Sequence, residues 1–100
     1  MLIWVTLTCP NGERVRILAL VDSGSDVNLL SQKIVKLHSF RKSEEPAIRY
    51  ALSINDYPIR LYDPVDVPLV VTDVLQEERN ATQTFHGTEL RGCDMILGMP

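Results

Sequence analysis

The sequence predicts an all-β fold, a small barrel or barrel-like sandwich carrying one short helix. Three observations lead there. Apolar and polar residues alternate with the two-residue period of a strand in several separate stretches. Pro, Asn, Asp and Gly punctuate those stretches at short intervals, as the turns of a meandering sheet require. Helical spacing of apolar residues is confined to the segment after Ser31. A chain of 100 residues with no Pro-, Gly- or Ser-rich linker predicts a single domain over residues 1–100.

The first strand runs from Ile3 to Thr8, with Ile3, Val5 and Leu7 on one face and Trp4, Thr6 and Thr8 on the other. Pro10-Asn11-Gly12 then turns the chain, because Pro presets φ, Asn tolerates left-handed backbone and Gly adopts it freely. The return strand, Arg14 to Val21, begins half exposed and ends apolar on both faces, so it enters the core as it reaches Asp22. Ser31 caps a short helix that turns Ile34, Val35 and Leu37 inward and Lys33 and Lys36 outward. Ser39 to Pro46 is a polar loop. Ile48, Tyr50, Leu52 and Ile54 alternate with Arg49, Ala51 and Ser53 up to a turn at Asn55-Asp56, the first half of a second hairpin. Pro58 and Pro64 interrupt the return limb, and Val65, Val67, Leu69 and Val71 resume a strand whose Pro68 argues for an edge position. Leu75 to Asn80 reads as a charged turn, Thr82 to Phe85 as a short strand, Gly87 to Gly92 as a loop, and Met95-Ile96-Leu97 as a short buried strand. Gly98-Met99-Pro100 has the form of a helix start with Pro in the first turn, so a C-terminal helix is expected to be cut short here.

Composition narrows the function classes. Ten Lys and Arg against thirteen Asp and Glu, a net charge of -3, give no broad basic field for a phosphate backbone, so nucleic acid is not an expected partner. The sequence shows neither the roughly 18-residue apolar run of a membrane helix nor a signal-peptide pattern, so no membrane association is expected and a reducing, cytoplasmic setting is. Cys9 and Cys93 are too far apart for a CxxC pair and too few for a disulfide framework. With His38 and His86 they could supply four zinc ligands, but structural zinc sites pair ligands a few residues apart, so no metal and no cofactor is expected. Asn80-Ala81-Thr82 fits the glycosylation pattern and is read as a polar turn.

Asp22-Ser23-Gly24 follows an apolar strand directly, which puts a carboxylate at the end of a buried element and off the solvated face. Burying an unpaired carboxylate is costly, so such a group is normally neutralised, hydrogen-bonded or paired. An ordinary tight turn uses the same three residue types, and on the tripeptide alone that reading stays open. The longer run Ala19-Leu20-Val21-Asp22-Ser23-Gly24-Ser25-Asp26-Val27-Asn28-Leu29-Leu30-Ser31 resembles the catalytic loop of aspartic proteases. Asp94-Met95-Ile96-Leu97-Gly98 looks like the apolar pair plus glycine that precedes their C-terminal helix and braces that loop from behind. The two runs lie about 70 residues apart with a hairpin between them, similar to the retropepsins, the single-lobe proteases of retroviruses and retrotransposons. Leu97-Gly98-Met99-Pro100, where the retroviral enzymes have Arg after the Gly, makes the resemblance closer to proteases of gypsy-type long-terminal-repeat retrotransposon polyproteins.

The resemblance implies a retropepsin-like acid-protease half-barrel, active as a homodimer. One carboxylate cannot both deprotonate a water and protonate a carbonyl oxygen, whereas two sharing a proton at about 3 Å can. With one such loop per chain, Asp22 of each subunit would meet its copy on a twofold axis. Ser23 would then hydrogen-bond across the dimer, and Gly24 would let its carbonyl approach the substrate backbone. Asp26 matches a substrate-binding position, although the Arg that pairs with it in retroviral relatives is Met99 here. An exposed Asp in a polar turn is the other reading of Asp26. Ile96, Leu97 and Gly98 would brace the loop. The hairpin Ile48 to Ile59 occupies the place of the family's flap, with Ile54, Asn55, Asp56 and Tyr57 at its tip in place of the usual glycines. A plain surface hairpin with Ile48, Tyr50 and Leu52 packed in the core is the alternative. The expected activity is endopeptidase cleavage of an extended peptide or Gag-Pol-like polyprotein, in the cytoplasm or within virus-like particles. The competing class is a non-catalytic module that keeps this fold for dimerisation or peptide binding.

Overall fold

In a computed structural model, residues 1–22, 25–52, 58–72 and 77–98 are described. In chain order the elements are β1 (Leu2–Thr8), β2 (Arg14–Asp22), β3 (Leu29–Ser31), α1 (Gln32–His38), β4 (Arg41–Lys42), β5 (Tyr50–Leu52), β6 (Pro58–Arg60), β7 (Pro64–Thr72), β8 (Glu78–Thr88) and β9 (Met95–Gly98). The fold is all-β with one short helix. Six strands run in the order β1-β2-β9-β3-β8-β7, and β7 pairs back onto β1 through Val5↔Val71, Thr6↔Val70 and Leu7↔Leu69. That last pairing closes the barrel and covers the edge of β1 at Val5 to Leu7. The short β4 adds to the outside of β7, and β5 with β6 forms a separate hairpin.

The period of two puts Val5 and Leu7 of β1 and Ile17 and Ala19 of β2 inside the barrel, where Leu30, Val67, Leu69, Phe85 and Met95 meet them. Each fully buried side chain of this size contributes about 1.5–3 kcal/mol. The opposite face of the same two strands carries Trp4, half exposed, with the Arg16 guanidinium 4.5 Å over its ring. Between β1 and β2 the turn forms as its residues dictate. Gly12 takes φ +88, the Asn11 side-chain oxygen accepts the Glu13 N–H at 2.9 Å, and the Cys9 N–H reaches Glu13 O at 2.8 Å.

Several elements differ from expectation, each for a reason visible in the pairing. β7 is not an edge strand: β8 lines one side throughout, while β4 and β1 cover the other. Pro68 falls in the gap between Asp66, the last residue paired to β4, and Leu69, the first paired to β1. The strand therefore has a local edge where the missing N–H is harmless. β8 runs unbroken through residues 78–88, absorbing the expected turn at Asn80, the Asn80-Ala81-Thr82 motif and Gly87. Nine register pairs to β7 hold it extended, and its last three residues pair again with β3. In α1, Ile34 and Val35 pack on the core as expected, but Leu37 is 74% exposed. Ser31 makes no side-chain cap; it is still strand, with its N–H given to Asp94 O at 2.8 Å. Ser39 ends the helix in the left-handed conformation, and its N–H returns to Val35 O.

Candidate active site at the end of β2

β9 lies between β2 and β3, parallel to the first and antiparallel to the second. Its register sets Asp22 beside Gly98, Val21 beside Leu97 and Leu29 beside Ile96. The chain therefore leaves β2 at Asp22, arches across the end of β9 and re-enters the sheet as β3 on the far side. Gly98 is where the arch rests. A Cβ on Gly98 would stand 2.5 Å from Ser25 O and 2.9 Å from Val27 O, closer than real Cβ atoms approach. No residue with a side chain fits there without displacing backbone. Gly98 therefore lies against Ser25 and Val27 of the acidic loop, while Ile96 and Leu97 pair with Leu20, Val21 and Leu29 of the strands that flank it.

Asn28 locks this seat. Its Oδ1 accepts the Gly98 N–H at 2.9 Å, its Nδ2 donates to Gln83 Oε1 at 2.9 Å, and its backbone oxygen accepts the His86 N–H at 3.0 Å. One side chain thereby joins the loop to both β9 and β8. Nothing in the spacing of the sequence singled it out. An Asn closing an Asp-rich turn is unremarkable until its β9 partner, 70 residues away, is known. Within the arch, the Ser25 N–H reaches Asp22 O at 3.2 Å, and Ser25 Oγ donates to Val27 O at 2.8 Å. The Ser25 hydroxyl thus ties the described part of the loop locally to its own backbone.

Asp22 ends β2 as expected, but its side chain is exposed in the single chain and does not sit at the end of a buried element. Burial along β2 falls away after Ala19, through the half-buried Leu20 and Val21, because the barrel rim is reached there. Asp26 is likewise exposed, four residues along the same loop. Ser23 and Gly24, like the hairpin-tip residues Ile54, Asn55, Asp56 and Tyr57, lie outside the described residues, as does Met99.

The β5–β6 hairpin, with pairs Tyr50↔Arg60, Ala51↔Ile59 and Leu52↔Pro58, stands off the barrel. Ile48 is 43% and Tyr50 67% exposed, so neither is packed in the core as a plain surface hairpin would have them. Its base is tied down. Tyr62 N–H donates to Gly87 O at 2.8 Å, Thr88 Oγ1 to Arg60 O at 2.8 Å, and Ile48 N–H to the Nε2 of buried His86 at 3.1 Å. Burial pushes the His86 imidazole below its ordinary value, nearby Arg49 adds to that shift, and Asp63 opposes it. Burial raises the Cys9 thiol, with Glu13 adding to the rise, so Cys9 is a poor nucleophile. Among the described residues no three His, Cys, Asp or Glu side chains converge on a metal position, and no helix is long and apolar enough to cross a membrane.

No protein-family model matches the chain, and comparison with curated proteins finds no match.

Proposed function

We propose that the chain is one subunit of a homodimeric aspartic endopeptidase of the retropepsin kind, acting on a Gag-Pol-like polyprotein of a gypsy-type retrotransposon. The observation that carries the reading is the seat at Gly98, where Asp22 pairs beside the glycine, Ser25 and Val27 lie over it and Asn28 ties it. It holds an exposed carboxylate at a fixed place on the barrel rim. An exposed Asp22 suits a group that becomes covered only when a second copy arrives. The two Asp22 carboxylates would share one proton across the twofold axis. The ionised one takes a proton from a water as that water attacks the scissile carbonyl carbon, and the protonated one gives its proton to the carbonyl oxygen. The resulting diol collapses as the Asp22 that took the water's proton passes it to the amide nitrogen, which leaves as the amine, and the other Asp22 takes a proton back from a diol hydroxyl. No acyl-enzyme forms and no metal is needed.

Ser23 would bridge the two loops, and Gly24 and Asp26 would bind the substrate backbone. The hairpin tip, Ile54 to Tyr57, would close over an extended peptide that pairs as an added strand. The compartment that fits is the cytoplasm or a virus-like particle. The test is sedimentation of the protein together with an assay on a mixed peptide library, with Asp22→Asn as control. A cleaving dimer whose Asn variant is silent supports the reading. A folded dimer that cleaves nothing across about pH 4 to 7, a range bracketing dyad titration, makes it a non-catalytic module instead.

A further inference from the structure

We propose that His86 is the positioning residue that latches the β5–β6 hairpin onto the barrel, and that protonating its imidazole releases the first leg of that hairpin. The outward face of β8 carries Thr84, His86 and Thr88, alternating with Phe85, which points into the core. Each of the three holds the segment that leads into or out of the hairpin. Thr84 Oγ1 meets Ser43 Oγ at 3.4 Å, His86 Nε2 accepts the Ile48 N–H at 3.1 Å, and Thr88 Oγ1 donates to Arg60 O at 2.8 Å. The two legs are joined just below the hairpin by the Leu61 N–H to Arg49 O bond at 2.8 Å.

Only the His86 contact reverses its sign with a proton. Because the Ile48 N–H donates, Nε2 must be the bare nitrogen and the neutral ring carries its proton on Nδ1. A protonated ring would turn a second donor toward that N–H, and the leg would move off to find water. The backbone N–H of the same residue holds Asn28 O at 3.0 Å, so one position links the hairpin base to the residue that seats the acidic loop.

The charges around the ring are few. Arg49, on the hairpin's first leg, and Asp63, beyond its second, form an exposed ion pair at 2.6 Å. They act on His86 in opposite senses, Arg49 against its charged form and Asp63 in favour. From β7, Asp66 accepts from Thr84 Oγ1 at 3.2 Å. β3 brings Leu29 as the register partner of His86, and α1 turns Lys33 and Lys36 to solvent. Burial at 4% exposure outweighs these, so the latch stays closed near neutrality and opens only in acid stronger than an ordinary imidazole needs. The consequence for catalysis rests on the peptidase reading: release of a closing arm would limit activity on the acid side. The latch itself does not depend on that reading.

The test is nitrogen-15 NMR of the protein across an acid titration, following the His86 ring nitrogens and the Ile48 amide in wild type and in His86→Gln. A Gln carbonyl can accept the same N–H but does not titrate. The expected result is the Nδ1–H tautomer near neutrality and an Ile48 amide shift that tracks ring protonation. Ile48 exchange should rise about fivefold over its intrinsic change across that step, as loss of one net hydrogen bond implies. In His86→Gln the step should vanish. An Nε2–H tautomer near neutrality, or an Ile48 step that persists in the Gln variant, overturns the proposal. If the Gln variant does not fold, the wild-type tautomer decides alone. A latch that titrates as described in a protein that cleaves no peptide refutes the peptidase and leaves the latch standing.

Discussion

Replacing Gly98 by Ala puts a methyl group into the seat of the acidic loop. The new Cβ would meet Ser25 O at 2.5 Å, Val27 O at 2.9 Å and the Ser25 carbonyl carbon at 3.2 Å. All three are backbone atoms, so no side-chain rotation relieves the overlap. Carbon–oxygen contacts settle at about 3.3 Å or more, and the loop or β9 must therefore shift by most of an ångström. Overpacking of this kind costs about 1–3 kcal/mol. If the shift also breaks the Gly98 N–H to Asn28 Oδ1 bond, about 1 kcal/mol more is lost. A total of about 2–4 kcal/mol is a large share of the roughly 5–15 kcal/mol that holds a domain together. At about 4–8 °C per kcal/mol for a domain of this size, Tm should fall by about 8–32 °C. Gly12→Ala is the comparison, since Gly12 has positive φ but open space around it, which predicts a loss of only about 1 kcal/mol. Urea and thermal unfolding followed by circular dichroism measure both. A Gly98→Ala protein no less stable than Gly12→Ala would refute the close seating of the loop.

Asn28→Ala removes the acceptor for Gly98 and the donor to Gln83 together, and should cost about 1–3 kcal/mol in urea unfolding. Asn28→Asp keeps the acceptor and loses the donor, so it should fall between Ala and wild type. Phe85→Ala empties the centre of the barrel and should cost about 3–5 kcal/mol, read as partial unfolding at room temperature. Stability should also depend on pH through His86. The folded ring binds its proton less tightly than the unfolded chain does, so the protein is most stable above the ordinary value of 6.5 and weakens as pH falls below it. The decline should level once the folded ring is protonated, and urea midpoints across pH should show it in wild type and not in His86→Gln.

The hairpin of β1 and β2 was legible because its alternation, its Pro-Asn-Gly turn and its burial all obey local rules. β9 was legible because Met95, Ile96 and Leu97 form a short apolar run. What stayed hidden came from pairing over long separations. The length of β8 is set by β7 and β3, which override Asn80 and Gly87 as turn residues. Pro68 pointed to an edge, and only the gap between β4 and β1 shows how a strand covered on both sides has one locally. Asp22 ended its strand as expected, yet its exposure depends on where the barrel rim falls, which the apolar run before it does not encode. Asn28 and His86 carry no spacing signal. Their roles exist only once β8 and β9 flank the loop.

The most direct measurement of the central claim mixes wild-type protein with Asp22→Asn in varied ratio and follows peptide cleavage at constant total protein. If each active site takes one Asp22 from each of two chains, mixed dimers are silent and the rate falls as the square of the wild-type fraction. A rate that falls in simple proportion would mean that each chain works with its own Asp22 alone, and would contradict the shared dyad.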